Sequence, residues 1–74
     1  MITLDQAKAM FADMVAKSAE RFTIDDVWEV QYNEPIYVMT VIDAEGNQHL
    51  PGIKFPSIRK HDGAIIDCQF SCPA

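Results

Sequence analysis

Hydrophobic positions in the first third of the chain recur at helical spacing. Leu4, Ala7, Phe11, Met14, Val15, Ser18 and Phe22 form one stripe, with Asp5, Asp13, Lys17 and Glu20 on the opposite side. Thr3-Leu4-Asp5-Gln6 has the form of a capping box, in which the Thr3 hydroxyl accepts from the Gln6 amide and the Gln6 side chain reaches back. The pattern predicts a helix from about Leu4 to about Arg21, with Asp5 and Lys17/Arg21 placed to suit its dipole. Ala9, Ala12, Ala16 and Ala19 make a small-residue strip beside the stripe, read as helix-forming filler.

Beyond Phe22 the period changes to two. Trp28, Val30 and Tyr32 alternate with Glu29 and Gln31, as in a half-buried strand. The run from Ile36 to Ile42 is apolar or β-branched on both faces and reads as a central strand. Asn33-Glu34-Pro35 and Asp43-Ala44-Glu45-Gly46-Asn47 supply the turns of two hairpins. Gln48 to Ile58 reads as an edge strand interrupted by Pro51, Gly52 and Pro56. After the His61-Asp62-Gly63 turn, Ala64, Ile66, Cys68 and Phe70 alternate with Ile65, Asp67 and Gln69 in a last strand. The expected fold is α+β, an N-terminal amphipathic helix on a three- to four-stranded antiparallel sheet in α-β-β-β-β order.

Register decides which face does what. An even-numbered loop at Glu34-Pro35 places Trp28, Val30 and Tyr32 with Tyr37, Met39 and Val41 against the helix. A three-residue loop reverses this, but its common form wants a residue such as Gly in the left-handed region, and here only Asn33 qualifies. With the even loop, Glu29, Gln31, Ile36, Val38, Thr40 and Ile42 share the face away from the helix. Ile65 joins their apolar patch, with Asp67 and Gln69 at its rim. Such a patch marks a partner surface or a homodimer contact; the plain alternative is that the C-terminal segment folds over it. Glu29, Gln31, Glu34, Ile36, Val38, Thr40, Ile42 and Asp67 are therefore the expected binding residues. On that reading, Val38→Glu with Ile42→Lys abolishes association while the domain stays folded.

Length adds that 74 residues make a single domain with one small core, residues 1–74. Hydrophobic residues are 49% and charged residues 23%, a globular balance. The apolar runs are too short for a membrane span and the start lacks the pattern of a signal peptide, so a cytoplasmic protein is expected.

Charge sharpens the partner. The net value is −5, and between Phe22 and Ile53 there is no Lys or Arg, whereas Asp25, Asp26, Glu29, Glu34, Asp43 and Glu45 all lie there. Direct nucleic-acid binding needs a basic footprint, and this chain has only a short one at Lys54, Arg59 and Lys60, so a basic protein partner is the better electrostatic match. The plain alternative is that acidity only keeps a small protein soluble.

Chemistry-bearing residues are sparse. Cys68, Cys72, His49 and His61 could in principle ligate zinc, but they lack paired-knuckle spacing, and Cys68 reads as a buried small hydrophobe. A Cys68–Cys72 bridge is out of reach in an extended strand, where residues four apart are ~13 Å apart. Cys72, His61 and Asp62 carry no nucleophile signature, and Asp25-Asp26 reads as a solvated pair in a loop. No cofactor, metal or catalytic activity is expected.

The element order, with Thr3-Leu4-Asp5-Gln6-Ala7-Lys8 opening the helix and Asp62-Gly63-Ala64-Ile65-Ile66 near the end, resembles PepSY-type modules. That resemblance implies an exported or membrane-tethered inhibitory or regulatory segment. It covers architecture only and transfers no functional residue.

Taken together, the sequence predicts a non-enzymatic interaction module: a stoichiometric inhibitor, immunity-type protein or adaptor of bacterial or phage type. A phage or mobile-element inhibitor of a host nucleic-acid-binding enzyme is a specific version. The rival is a small metal- or thiol-dependent protein using Cys68, Cys72 and His61.

Overall fold

Thr3 sits in extended conformation and its hydroxyl accepts from the Gln6 amide at 3.2 Å, while Gln6 Oε1 accepts from Thr3 N at 2.8 Å. The expected capping box thus opens α1, Leu4–Ala16. The computed structural model describes residues 1–66. Its further elements are β1 Phe22–Tyr32, β2 Glu34–Asp43, β3 Gln48–His49, β4 Ser57–Arg59 and β5 Ile65–Ile66. One helix lies on an antiparallel sheet ordered β1-β2-β4-β5, with β3 also paired to β2. This is the α+β fold expected from the periodicity.

The helix stops earlier than its stripe suggests. Lys17 caps it, Ser18 N donates to Val15 O, and the Ser18 hydroxyl accepts from Glu20 N, so the chain turns before Arg21. Phe22, in phase with the helical stripe, instead begins β1 opposite Asp43. Lys17 pairs with Asp13 at 2.9 Å on an exposed surface, a contact of small energetic weight.

The main core cluster lies between the helix and the sheet, and Ile36, Val38 and Ser57 are buried on the other face. Ala7 and Phe11 are fully buried against Val27, Tyr37, Met39, Val41 and Ile58. Met10, Met14, Val15, Phe22 and Ile24 pack around them. Leu4, expected in the core, is 38% exposed because it lies at the start of the helix.

The register differs from the expected one. Trp28 pairs with Val38, Val30 with Ile36 and Tyr32 with Glu34, so these share the face away from the helix. Val27, Glu29 and Gln31 pair with Met39, Tyr37 and Pro35 on the helix face. Asn33 is responsible: it takes φ 60, the left-handed conformation that an odd connection requires. Asn33→Ala should therefore cost about 1 kcal/mol and Asn33→Gly almost nothing. Denaturant melts of the two variants check this, and equal stabilities would show that φ at residue 33 carries no strain.

Gln48 to Ile58 is not one interrupted edge strand. It forms two short strands, β3 and β4, both on the same side of β2, with Val41 opposite His49 and Tyr37 opposite Ile58. The segment carrying Pro51 and Pro56 loops out between them, since proline supplies no ladder donor. Its Leu50 and Ile53 are 62% and 55% exposed. β4 is internal, with β5 beyond it.

Candidate functional site

Asp25 and Asp26 lie inside β1, not in a loop before it. Ile24 pairs with Val41 and Asp26 with Thr40, so Asp25 is the extra residue of a β-bulge. Its carboxylate accepts from the Gln48 side chain at 2.9 Å and from the Thr40 hydroxyl at 3.4 Å. Asp26 Oδ1 accepts from the adjacent Val27 N at 2.9 Å.

That last contact is informative because of where the main-chain groups of β1 point. Lys60 N donates to Pro35 O and Asp43 N to Asn47 O, so odd-numbered residues of β2 direct their polar groups toward β3 and β4. Even-numbered ones therefore face β1. In an antiparallel ladder the hydrogen-bonded partners exchange both bonds, which turns Asp26, Trp28 and Val30 inward. Val27, Glu29 and Gln31 direct N–H and C=O outward, where no strand lies beside them among the described residues. Asp26 covers one of these donors, that of Val27. Among the described residues, the amides and carbonyls of Glu29 and Gln31 remain as an open rung.

The side chain of Glu29 lies on the helix face. It accepts from Lys60 Nζ at 2.8 Å, and the ammonium stands 6.0 Å from the centre of the Tyr37 ring. This carboxylate holds Lys60 above the ordinary lysine range. The Tyr37 hydroxyl in turn donates to Ile2 O at 3.2 Å. Glu34 lies 4.0 Å from Arg59, which also approaches Asp62 at 3.3 Å.

The other expected binding residues do not form an open patch. Ile36, Val38 and Thr40 are 0%, 1% and 5% exposed, and Ile42 is half-buried. Glu29 and Gln31 are on the opposite face from them, because the odd connection reversed the register. Ile65 also sits on the helix side, paired with Ile58 and half-exposed beside Met10 and Met14. These residues, with Ala9 and Asp13, line an open groove of about 450 Å³. Asp67, Gln69, Cys68, Cys72 and the expected strand continuation to Phe70 lie outside the described residues.

The two histidines are not brought together. His49 stands opposite Val41 and β4 ends near Ile36, so His61, just beyond β4, is about five residues along β2, or ~17 Å. His49 Nε2 lies 2.8 Å from Asp43 Oδ2, beneath the edge of the Phe22 ring. Asp43 Oδ1 accepts from Glu45 N and Asn47 N, both at 2.9 Å. The Asn47 amide and the His49 ring hold this carboxyl at about 2, below its usual range. Asp43 is thus committed to shaping the β2–β3 turn. Asp62 plays a parallel part in the β4–β5 turn, where the Ala64 amide and the charge of Arg59 keep its carboxyl low. Among the described residues no group of three or more His, Cys, Asp or Glu could hold a metal ion.

Two features escaped the sequence reading. One is the bulge at Asp25, whose only trace is a single-residue break in alternation between Ile24 and Val27. The other is Ser57, whose hydroxyl is buried with no hydrogen-bond partner among the described residues. An unsatisfied hydroxyl of this kind costs about 1–3 kcal/mol, and nothing in the pattern around Ser57 announces it. No helix among the described residues is long and apolar enough to cross a membrane. Compared with known protein families, curated proteins and solved structures, the chain matches none.

Proposed function

We propose that this chain is a non-enzymatic protein-interaction module, a stoichiometric inhibitor, immunity-type protein or adaptor, whose partner presents a basic surface. The carrying observation is the layout of charge on the fold. The stretch without Lys or Arg covers β1, β2 and β3 together with the turns between them. Lys60 and Arg59 reach back only to Glu29 and Glu34, and Lys17 is paired on the helix. The carboxylates of Asp25 and Asp26 accept only from neutral donors, and Glu45, whose amide donates to Asp43, is exposed in the β2–β3 turn. A field of one sign on a small domain steers a partner of the opposite sign and selects against like-charged ones.

The test is affinity capture from the native host with mass spectrometry, run beside a variant carrying Asp26→Asn and Glu45→Gln. Asparagine keeps the acceptor for Val27 N, so the change removes charge and spares the fold. The expected result is a basic protein held in stoichiometric amount, less strongly as ionic strength rises and less strongly by the variant. A neutral or acidic partner held equally by both forms would overturn the proposal, as would turnover of a substrate by the purified chain.

A further inference from the structure

The outer edge of β1 offers what few edges in small domains do. Natural sheets usually blunt an edge with a short strand, a bulge, proline or lysine. Here β1 is 11 residues long and contains neither proline nor lysine. The bulge at Asp25 protects one end, and Asp26 covers the Val27 amide next to it. From Glu29 to Gln31 the protection stops, and two outward amides and two outward carbonyls are spaced as a strand partner would need them. Both residues are exposed.

We infer that an extended, cationic segment of the partner docks here by strand addition, pairing its main chain with Glu29 and Gln31. This rests on the basic-partner reading above and adds the mode and the place. Strand addition draws affinity from main-chain hydrogen bonds and selectivity from alternate side chains. On the face away from the helix, an incoming strand runs beside Asp26, Trp28 and Val30. It is therefore apolar beside Trp28 and Val30 and carries a cation where it meets Asp26. On the helix face it meets Val27, Glu29 and Gln31, which suits polar residues, and a cation there shares the Glu29 carboxylate with Lys60. Charge decides against a second copy of this chain as occupant. Two copies bring −5 against −5, and the symmetric register centred on the open rung sets Val30 against Val30 and each Glu29 against Gln31, with the two Glu29 carboxylates diagonal neighbours on one face.

The probe is the peptide acetyl-Thr-Val-Lys-Val-Thr-Lys-amide, written to run antiparallel from Gln31 to Asp26, titrated at millimolar concentration into isotopically labelled protein. The control replaces both lysines by glutamate. Backbone amide shifts should move at Glu29 and Gln31 with the lysine peptide and stay still with the control. Gln31→Pro removes an outward donor without touching the bonds to β2, and should weaken binding about five- to tenfold, whereas Gln31→Ala should not. Thermal melts of both variants check that each is folded.

The outcomes separate the two readings. Binding that maps to the Asp43–Asn47 turn, or that Gln31→Pro leaves intact, sinks strand addition while the basic-partner reading stands. No binding by the lysine peptide anywhere on the protein counts against both. Concentration-dependent shifts at Glu29 and Gln31 with no peptide present would make the occupant a second copy and overturn the inference.

Discussion

Phe11→Ala should leave the domain largely unfolded or within reach of very mild denaturant. Phe11 has no exposed surface and sits at the centre of α1, against residues of β1, β2 and β4. Truncating a buried phenylalanine costs about 3–5 kcal/mol, because the apolar transfer is lost and the cavity closes only partly. A chain of this length has roughly 4–11 kcal/mol of stability in total. The loss is therefore a large share of the whole. Leu4→Ala, on the same helix but 38% exposed, is the internal standard and should cost far less. Urea midpoints measured for the two variants decide the matter. If Phe11→Ala melts no earlier than Leu4→Ala, the helix does not anchor this core.

Val38→Glu should also destroy the fold at neutral pH. The sequence alone suggests the reverse, that a charge at this position would disrupt association and spare the domain. The register makes the difference: Val38 is 1% exposed, between Trp28 on β1 and the β4 ladder. The β2–β4 register puts Ser57 on the same face as Val38, and its buried hydroxyl is itself without a partner among the described residues. A buried, unpaired carboxylate belongs to the small class of substitutions costing about 4 kcal/mol or more. Burial would raise its folded-state pKa above the unfolded value, so the penalty applies when the group is ionised in the unfolded chain. It shrinks as pH falls below the usual Glu range. Stability of the variant should accordingly recover toward pH 4 relative to the unsubstituted chain. A cooperative melt at neutral pH close to that of the parent would show that the face away from the helix is open after all.

What the sequence disclosed and what it hid both follow from local chemistry. The start of the helix was legible because Thr3 and Gln6 satisfy each other within a single turn. Its end was not, because Phe22 keeps helical phase by coincidence while belonging to a strand. The first half of β1 was hidden by the bulge: Phe22 and Ile24 share a face with Val27, and one inserted aspartate breaks the alternation that would have revealed them. The expected binding residues were misassigned for a reason that reduces to one torsion. Asparagine tolerates the left-handed region less readily than glycine, yet Asn33 adopts it, and every side chain of β1 changes face as a result. Glu29 and Gln31 were singled out as binding residues for their side chains. The geometry gives them interest for their main chain instead.

Trp28 is the sole tryptophan, and its position turns it into an optical gauge. It lies on the face of the sheet that α1 does not touch, beside Val38 at the middle of the β1–β2 ladder. Its emission therefore reports the sheet, whereas circular dichroism at helical wavelengths reports α1. Because β2 holds β1 on one side and both β3 and β4 on the other, the ladder cannot be dismantled piecemeal without freeing the strand on which the helix rests. The two signals should change together, as they do when a small domain has only two populated states.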